Sequence, residues 1–336
     1  MQDNILEVRH LRTHFIGKNG KQTRAVDDLS YSVRRGEFTA IIGESGSGKS
    51  VSALSLLRLI PYPPGLILGG EVFFDGRDLM KLSDREMEEI RGKDISMIFQ
   101  EPATALNPVL TVGEQIVEAL TTHLPLREKD AWAKAVELLR MVEIPNPEER
   151  AKQYPFEFSG GMQQRAMIAM AMSCEPKLLI CDEPTTALDV TVQAQVLDQI
   201  DRLRKQTGTT IILITHNLGV VARYADSVKI MYGGKIVEEG DTESIFEDTR
   251  HPYTQGLIRA VPRLDRNNGQ LFTIEGEPPD MSEIPVNSCA FAPRCPYAEE
   301  RCRRERPPLT EVAAGHRCAC FHPIRGQAGN ERKSEV

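Results

Sequence analysis

The sequence predicts an α/β fold, a parallel sheet with helices on its faces, followed by a small cysteine-bearing region. Three observations carry this. Strand-like and helix-like segments alternate from about Gly161 onward, and such alternation builds parallel sheets with covering helices. The run Phe38-Thr39-Ala40-Ile41-Ile42 reads as a fully buried strand that passes into a glycine-rich loop and then a helix. A second apolar run, Leu178-Leu179-Ile180-Cys181, ends in two carboxylates, Asp182 and Glu183.

Taken in order, Ile5–Val8 and Leu29–Val33 alternate like half-buried strands, and residues 17–20 and 34–36 read as turns. Helical spacing runs from Ser50 to Ile60 and stops at Pro61. A short strand pair is expected around residues 70–76. Helices are expected within 111–144, closed by Pro145 and Pro147. Then follow a helix from Gly161, the strand at 178–181, a helix over 192–206 and a strand over 210–215. A helix over 218–224 and strands around Val228 and Ile236 complete the series. After about Asp248 the texture turns rich in Pro, Arg and Cys, which places a domain boundary near residue 250.

Composition narrows the function. With 336 residues there is chain for about two domains. Hydrophobic residues at 40% and charged residues at 26% exclude a collagen-like, mucin-like or wholly disordered chain. Lys and Arg number 41 against 48 Asp and Glu, a net charge of −7 that is unsuited to coating nucleic acid. No apolar run approaches the ~20 residues of a membrane helix. Asp3, Glu7 and Arg9 interrupt the first residues, which therefore do not read as a secretion signal, and the expected location is cytoplasmic.

Gly43-Glu44-Ser45-Gly46-Ser47-Gly48-Lys49-Ser50 fits G-x-x-x-x-G-K-[ST] between a buried strand and a helix, the setting a phosphate loop requires. Its glycines let successive N–H groups face one point, and the helix N-terminus adds positive partial charge. Lys49 would reach the β- and γ-phosphates of a nucleoside triphosphate, and the Ser50 hydroxyl would ligate Mg²⁺. Asp182, at a strand tip, suits Mg²⁺ held through water, and Glu183 suits orienting or deprotonating an attacking water. His216 follows the strand 210–215 and stands where ligands bind such sheets, within reach of a γ-phosphate.

These residues, together with Phe158-Ser159-Gly160-Gly161-Met162-Gln163-Gln164-Arg165, resemble the ATP-binding-cassette (ABC) ATPases, and that run resembles the family's signature sequence. Gln100 resembles its Q-loop, Thr186-Ala187-Leu188-Asp189 its D-loop, and His216 its switch histidine. The resemblance spans residues 5 to about 240. It implies a RecA-like parallel-sheet core, an antiparallel β subdomain and a helical subdomain at about 101–165. It implies ATP and Mg²⁺, with Gln100 joining Ser50 and Asp182 at the metal, and Phe15 stacked on adenine. It also implies that Ser159, Gly160, Gly161 and Met162 close over ATP held by a second cassette, head to tail. Phe158 and Met162 replace the commoner Leu and Gln, without removing a glycine amide or the serine hydroxyl.

Gln100-Glu101-Pro102, Leu106–Gly113, His251-Pro252-Tyr253 and Pro262-Arg263-Leu264 resemble the ATPases of oligopeptide, dipeptide and nickel importers, and the signature resembles their D-type subunit. The implied role is to power import of di- or oligopeptides from the cytoplasmic face of the membrane. The implied partners are two permease subunits, an F-type ATPase and a peptide-binding protein outside. A nickel or other small-solute importer is the nearest alternative. An alternative of another class is a soluble ABC-type ATPase with a redox-sensing tail.

Five of the seven cysteines lie in the last 48 residues: Cys289, Cys295, Cys302, Cys318 and Cys320. Four thiolates at such spacing suit Zn²⁺ or a [4Fe–4S] cluster, and the missing Cys-x-x-Cys knuckle favours the cluster. The resemblance to D-type subunits implies a [4Fe–4S] cluster on Cys289, Cys295, Cys302 and Cys320, with Cys318 a bystander. Cys174 and Cys181 read as small apolar residues.

Overall fold

The computed structural model describes residues 3–18, 20–185, 190–261 and 272–324. The first strands, β1 (Asn4–Ile16) and β2 (Gln22–Arg34), are long and half-buried, and β3 (Phe38–Ile42) is buried at every position. Helix α1 (Lys49–Leu56) follows the glycine-rich loop. It ends four residues before the sequence pattern does, because Arg58 takes a left-handed φ of 52° just past the cap at Leu57. The strand pair is β4 (Gly65–Phe74) and β5 (Arg77–Asp78).

Helix α2 (Asp84–Ile90), unexpected from periodicity, starts on a reciprocal cap: the Glu86 N–H donates to Ser83 Oγ and the Ser83 N–H donates to the Glu86 carboxylate. After β6 (Ile95–Ile98) come α3 (Pro102–Ala105), α4 (Val112–His123), α5 (Glu128–Met141), α6 (Pro147–Arg150) and α7 (Gly160–Met172). Strand and helix then alternate through β7 (Leu178–Asp182), α8 (Val190–Thr207), β8 (Thr210–Thr215), α9 (Leu218–Tyr224) and β9 (Ser227–Tyr232). The chain continues with β10 (Lys235–Asp241), α10 (Thr242–Glu247), α11 (Pro252–Arg259), α12 (Glu300–Arg304), β11 (Thr310–Ala313) and β12 (His316–Cys318).

These elements form two compact units. One comprises residues 3–5, 34–36 and the described part of 81–214. In it, β6, β7 and β8 pair in parallel and are buried throughout, as strands covered on both faces are. Its helices bury apolar faces, Ile116 and Leu120 of α4 and Ala135 and Leu139 of α5 among them. Arg165 of α7 ties this layer by donating from Nη1 to the Val142 carbonyl at 2.8 Å.

The other unit comprises residues 6–33, 37–80 and the described part of 215–324. It holds the antiparallel sheet β2-β1-β4-β5. It also holds β3 paired in parallel with β9, followed by β10 antiparallel to β9, β12 to β10 and β11 to β12. The residues after 250 thus contribute two strands to the sheet that carries the phosphate loop. Its core gathers Ala40, Ile42, Ile230, Tyr232, Tyr253 and Phe291. Glu238 of β10 is fully buried and accepts hydrogen bonds from the Arg250 and His251 N–H groups, and it pairs with His316 Nε2 at 2.8 Å.

Candidate functional site

The loop after β3 is shaped by its glycines. A Cβ on Gly43 would lie 2.2 Å from the Met231 carbonyl oxygen, and one on Gly48 would lie 2.1 Å from that of Ala25. Gly46 and Gly48 also take φ values of +77° and +98°. Any side chain at 43 or 48 would collide with backbone, so the composition of the loop follows from its path. Lys49 is 6% exposed, and its Nζ donates to the carbonyls of Gly43 (2.7 Å) and Glu44 (3.0 Å). The ammonium therefore lies folded over the loop. Ser47 Oγ is buried without a partner atom. Ser50 stands in the first turn of α1.

His216 lies in this same unit, exposed, just past β8. Together with Gly43 and Glu44 it lines a cavity of about 340 Å³, closed on other sides by Asn217, Leu257 and Val261. Asn217 fixes the turn beside it by accepting from the Gly219 and Val220 N–H groups as the cap of α9. Phe15 is half-buried on β1 opposite Gly65, where a Cβ would come within 2.9 Å of its ring.

The other unit brings together a second set of site residues. Asp182 is 5% exposed at the end of β7. Glu183 follows with φ +45°, and its N–H donates to the Ile214 carbonyl at 2.9 Å. A non-glycine residue in this left-handed region carries strain that clusters at functional sites. Gln100 Nε2 donates to Glu183 Oε2 at 3.4 Å. Ser159 caps α7 by accepting from the Met162 N–H. Ser159 and Gly160 are exposed, with open space where a Gly160 Cβ would stand. The helix therefore presents free space over its N-terminal amides. Residues Thr186, Ala187, Leu188 and Asp189 lie outside the described residues, as do Pro262, Arg263 and Leu264.

In the C-terminal region Cys289, Cys295, Cys302 and Cys320 all border one cavity of about 20 Å³. Cys318 does not: it is fully buried in β12, opposite Glu238. The sheet register separates it from the other four. Burial pushes the Cys289 and Cys320 thiols up to about 11, and the neighbouring sulfurs add to the shift. Among the described residues, no three His, Cys, Asp or Glu side chains are gathered closely enough to hold a metal ion. Cys181 is fully buried in β7, and Cys174 is half-buried against the Ala119 carbonyl.

Sequence reasoning did not find Arg294. Its guanidinium makes a two-pronged pair with Glu44 of the phosphate loop, 250 positions away. The only signal was an arginine beside a cysteine in a basic stretch.

The protein is similar along its length to known proteins. A family model described as ABC transporter matches residues 26–186. Another, described as the C-terminal region of oligopeptide/dipeptide transporters, matches residues 237–302. A probable peptide ABC transporter ATP-binding protein of Sinorhizobium fredii is 50% identical, over 95% of both chains. The oligopeptide transport ATP-binding protein OppD of Bacillus subtilis is 49% identical, over 93% of this chain and 87% of its own. The dipeptide transport ATP-binding protein DppD of Escherichia coli is 46% identical, over 95% of this chain and 97% of its own. Among solved structures, the ATP-binding cassette MJ0796 in a dimeric post-hydrolysis state with ADP and Pi is similar. Its TM-score is 0.63 at 26% identity, covering 70% of this chain and 98% of that one. The phosphate loop, the acidic strand tip and the capped glycine pair thus stand in a chain that belongs to the ABC transporter ATPases, in the group carrying the oligopeptide/dipeptide-transporter C-terminal region.

Proposed function

We propose that this chain binds MgATP and hydrolyses it to drive import of di- or oligopeptides through a membrane permease. The observation that carries this is the phosphate loop, with Lys49 folded over it and His216 lining the same cavity. The loop amides and Lys49 take the phosphates, and Phe15 takes the adenine. Ser50, Asp182 and Gln100 hold Mg²⁺. Glu183 activates the water, with Gln100 as its neighbour, and His216 donates to the γ-phosphate. Ser159, Gly160, Gly161 and Met162 serve the ATP of a second, F-type cassette, and Asp189 lies at that interface. The dimeric state of the MJ0796 cassette supports this pairing.

No helix among the described residues is long and apolar enough to cross a membrane; in this reading the membrane path is supplied by the permease chains. The helical segment exposes Val109 (75%) and Phe156 (70%), apolar surface suited to a permease helix. Two permease subunits and an external peptide-binding protein complete the complex, which places this chain on the cytoplasmic face. The test is reconstitution with those partners. Peptide-stimulated ATP hydrolysis with peptide uptake is expected. Hydrolysis with nickel uptake alone would reassign the solute, and a soluble ribosome-bound complex would overturn the transport reading.

We further infer that Cys289, Cys295, Cys302 and Cys320 hold a [4Fe–4S] cluster. Their shared cavity and the exclusion of Cys318 support this. A single Zn²⁺ draws its sulfurs to ~2.3 Å of one point. A cluster takes one cysteine on each iron and accepts a wider spread. When bound, the cluster supplies four iron–thiolate links across a segment with little apolar core.

A further inference from the structure

Glu44 is the one carboxylate within the loop 43–50, where a negative charge opposes a polyphosphate. Arg294 answers it with Nη1 at 2.6 Å from Oε2 and Nη2 at 3.1 Å from Oε1, the paired geometry that makes arginine–carboxylate contacts strong and directional. The arginine side chain is 6% exposed. Its Nε donates to the Glu275 carbonyl at 3.1 Å, and Nη1 also reaches Tyr232 Oη at 3.3 Å. The guanidinium is therefore fixed before any ligand arrives.

The backbone of Glu44 is held as well. Its N–H donates to Tyr253 Oη at 2.8 Å, and its carbonyl accepts from Lys49 Nζ. Two of these three holds, Arg294 and Tyr253, come from beyond residue 250. They are braced together, since Tyr232 packs 4.5 Å from Tyr253 and 5.3 Å from Phe291, ring centre to centre. Phe291 and Arg294 both lie between Cys289 and Cys295 in the chain.

We infer that Arg294 is a positioning residue of the phosphate loop: it neutralises Glu44 and, with Tyr253, fixes the loop, so that the C-terminal region sets the affinity for a nucleoside triphosphate. This rests on the loop being the nucleotide site proposed above. Without the guanidinium, the Glu44 charge stands uncompensated beside the incoming phosphates.

The experiment is calorimetric titration of MgATP into the full chain, with melting temperature recorded for each variant. Arg294→Gln should weaken MgATP binding on the order of tenfold. Arg294→Lys, which keeps the charge and loses the fork, should fall between. Adding Glu44→Gln to Arg294→Gln should restore most of the affinity, a rescue that a merely unfolded C-terminal region could not give. Wild-type binding in Arg294→Gln, or a double variant as weak as the single one, would overturn the positioning role alone. A wild-type chain that binds no MgATP would overturn the nucleotide site with it.

Discussion

The Gln100 amide lies 3.4 Å from the Glu183 carboxylate, and Glu183 is held in a left-handed backbone conformation by its N–H bond to Ile214. The carboxylate is thus aimed by both its own backbone and a neighbouring side chain. Glu183→Gln preserves that contact and removes only the base. In the assembled complex it should bind ATP as wild type does and lose turnover by a factor of about 10²–10⁴. Steady-state hydrolysis near the wild-type rate would falsify the assignment of Glu183 as the base.

Gly48→Ala probes the loop path. The new methyl would stand 2.1 Å from the Ala25 carbonyl oxygen at a φ of +98°. Backbone must move, at a cost of roughly 1–3 kcal/mol for the strained conformation alone. MgATP affinity should drop at least tenfold, while the far-ultraviolet spectrum of the chain stays unchanged.

Lys235 lines a cavity of about 300 Å³ beside Asp27 and Arg306. Burial lowers its pKa to about 8; Asp27 pulls it back up, and Arg306 pushes it further down. The charged form is the one disfavoured, so the neutral amine gains as pH rises through 8 and is nearly complete by about 9.5. An ordinary lysine, titrating near 10.4, is still mostly charged there. Mass-spectrometric acetylation rates should therefore level off above pH 9 at Lys235 and keep climbing at exposed lysines. A rate at Lys235 that climbs in step with the rest would refute the shift.

Iron content separates the five clustered cysteines. Protein purified without oxygen should be brown. Replacing Cys289, Cys295, Cys302 or Cys320 with Ser should bleach it, while Cys318→Ala should keep the iron. Colourless wild-type protein with one zinc per chain would favour the simpler metal.

Much of the nucleotide half was legible in the sequence because its signals are local. The phosphate loop, the strand ending at Asp182 and the strand before His216 each declare themselves within ten residues. Helix α2 was missed because only two apolar residues, Met87 and Ile90, interrupt its charged run; its cap, Ser83 with Glu86, was the readable sign. Glu238 was invisible for a different reason. In Lys235–Asp241 it reads as an exposed strand residue, and it becomes buried when His316 arrives from 78 positions away. The same holds for Arg294 and Glu44, whose partnership spans 250 positions. For the cysteines, spacing alone left five candidates for four places, and the choice of Cys289, Cys295, Cys302 and Cys320 came from the family resemblance.

The two short strands after residue 309 have a consequence for how the cassette survives outside a complex. β10 carries Ile236 and Val237 and would, without β12, be the last strand of its sheet, its N–H and C=O groups open to any other chain. Open strand borders of this kind recruit further strands and aggregate. Here the border is moved out to β11, four residues long, with Thr310 and Glu311 exposed. A chain cut near residue 250 loses this border along with Arg294 and Tyr253, and it should precipitate or pair with itself, which light scattering would show as concentration is raised. In that sense the last segment acts as a selvedge, finishing the sheet so that it does not unravel into its neighbours.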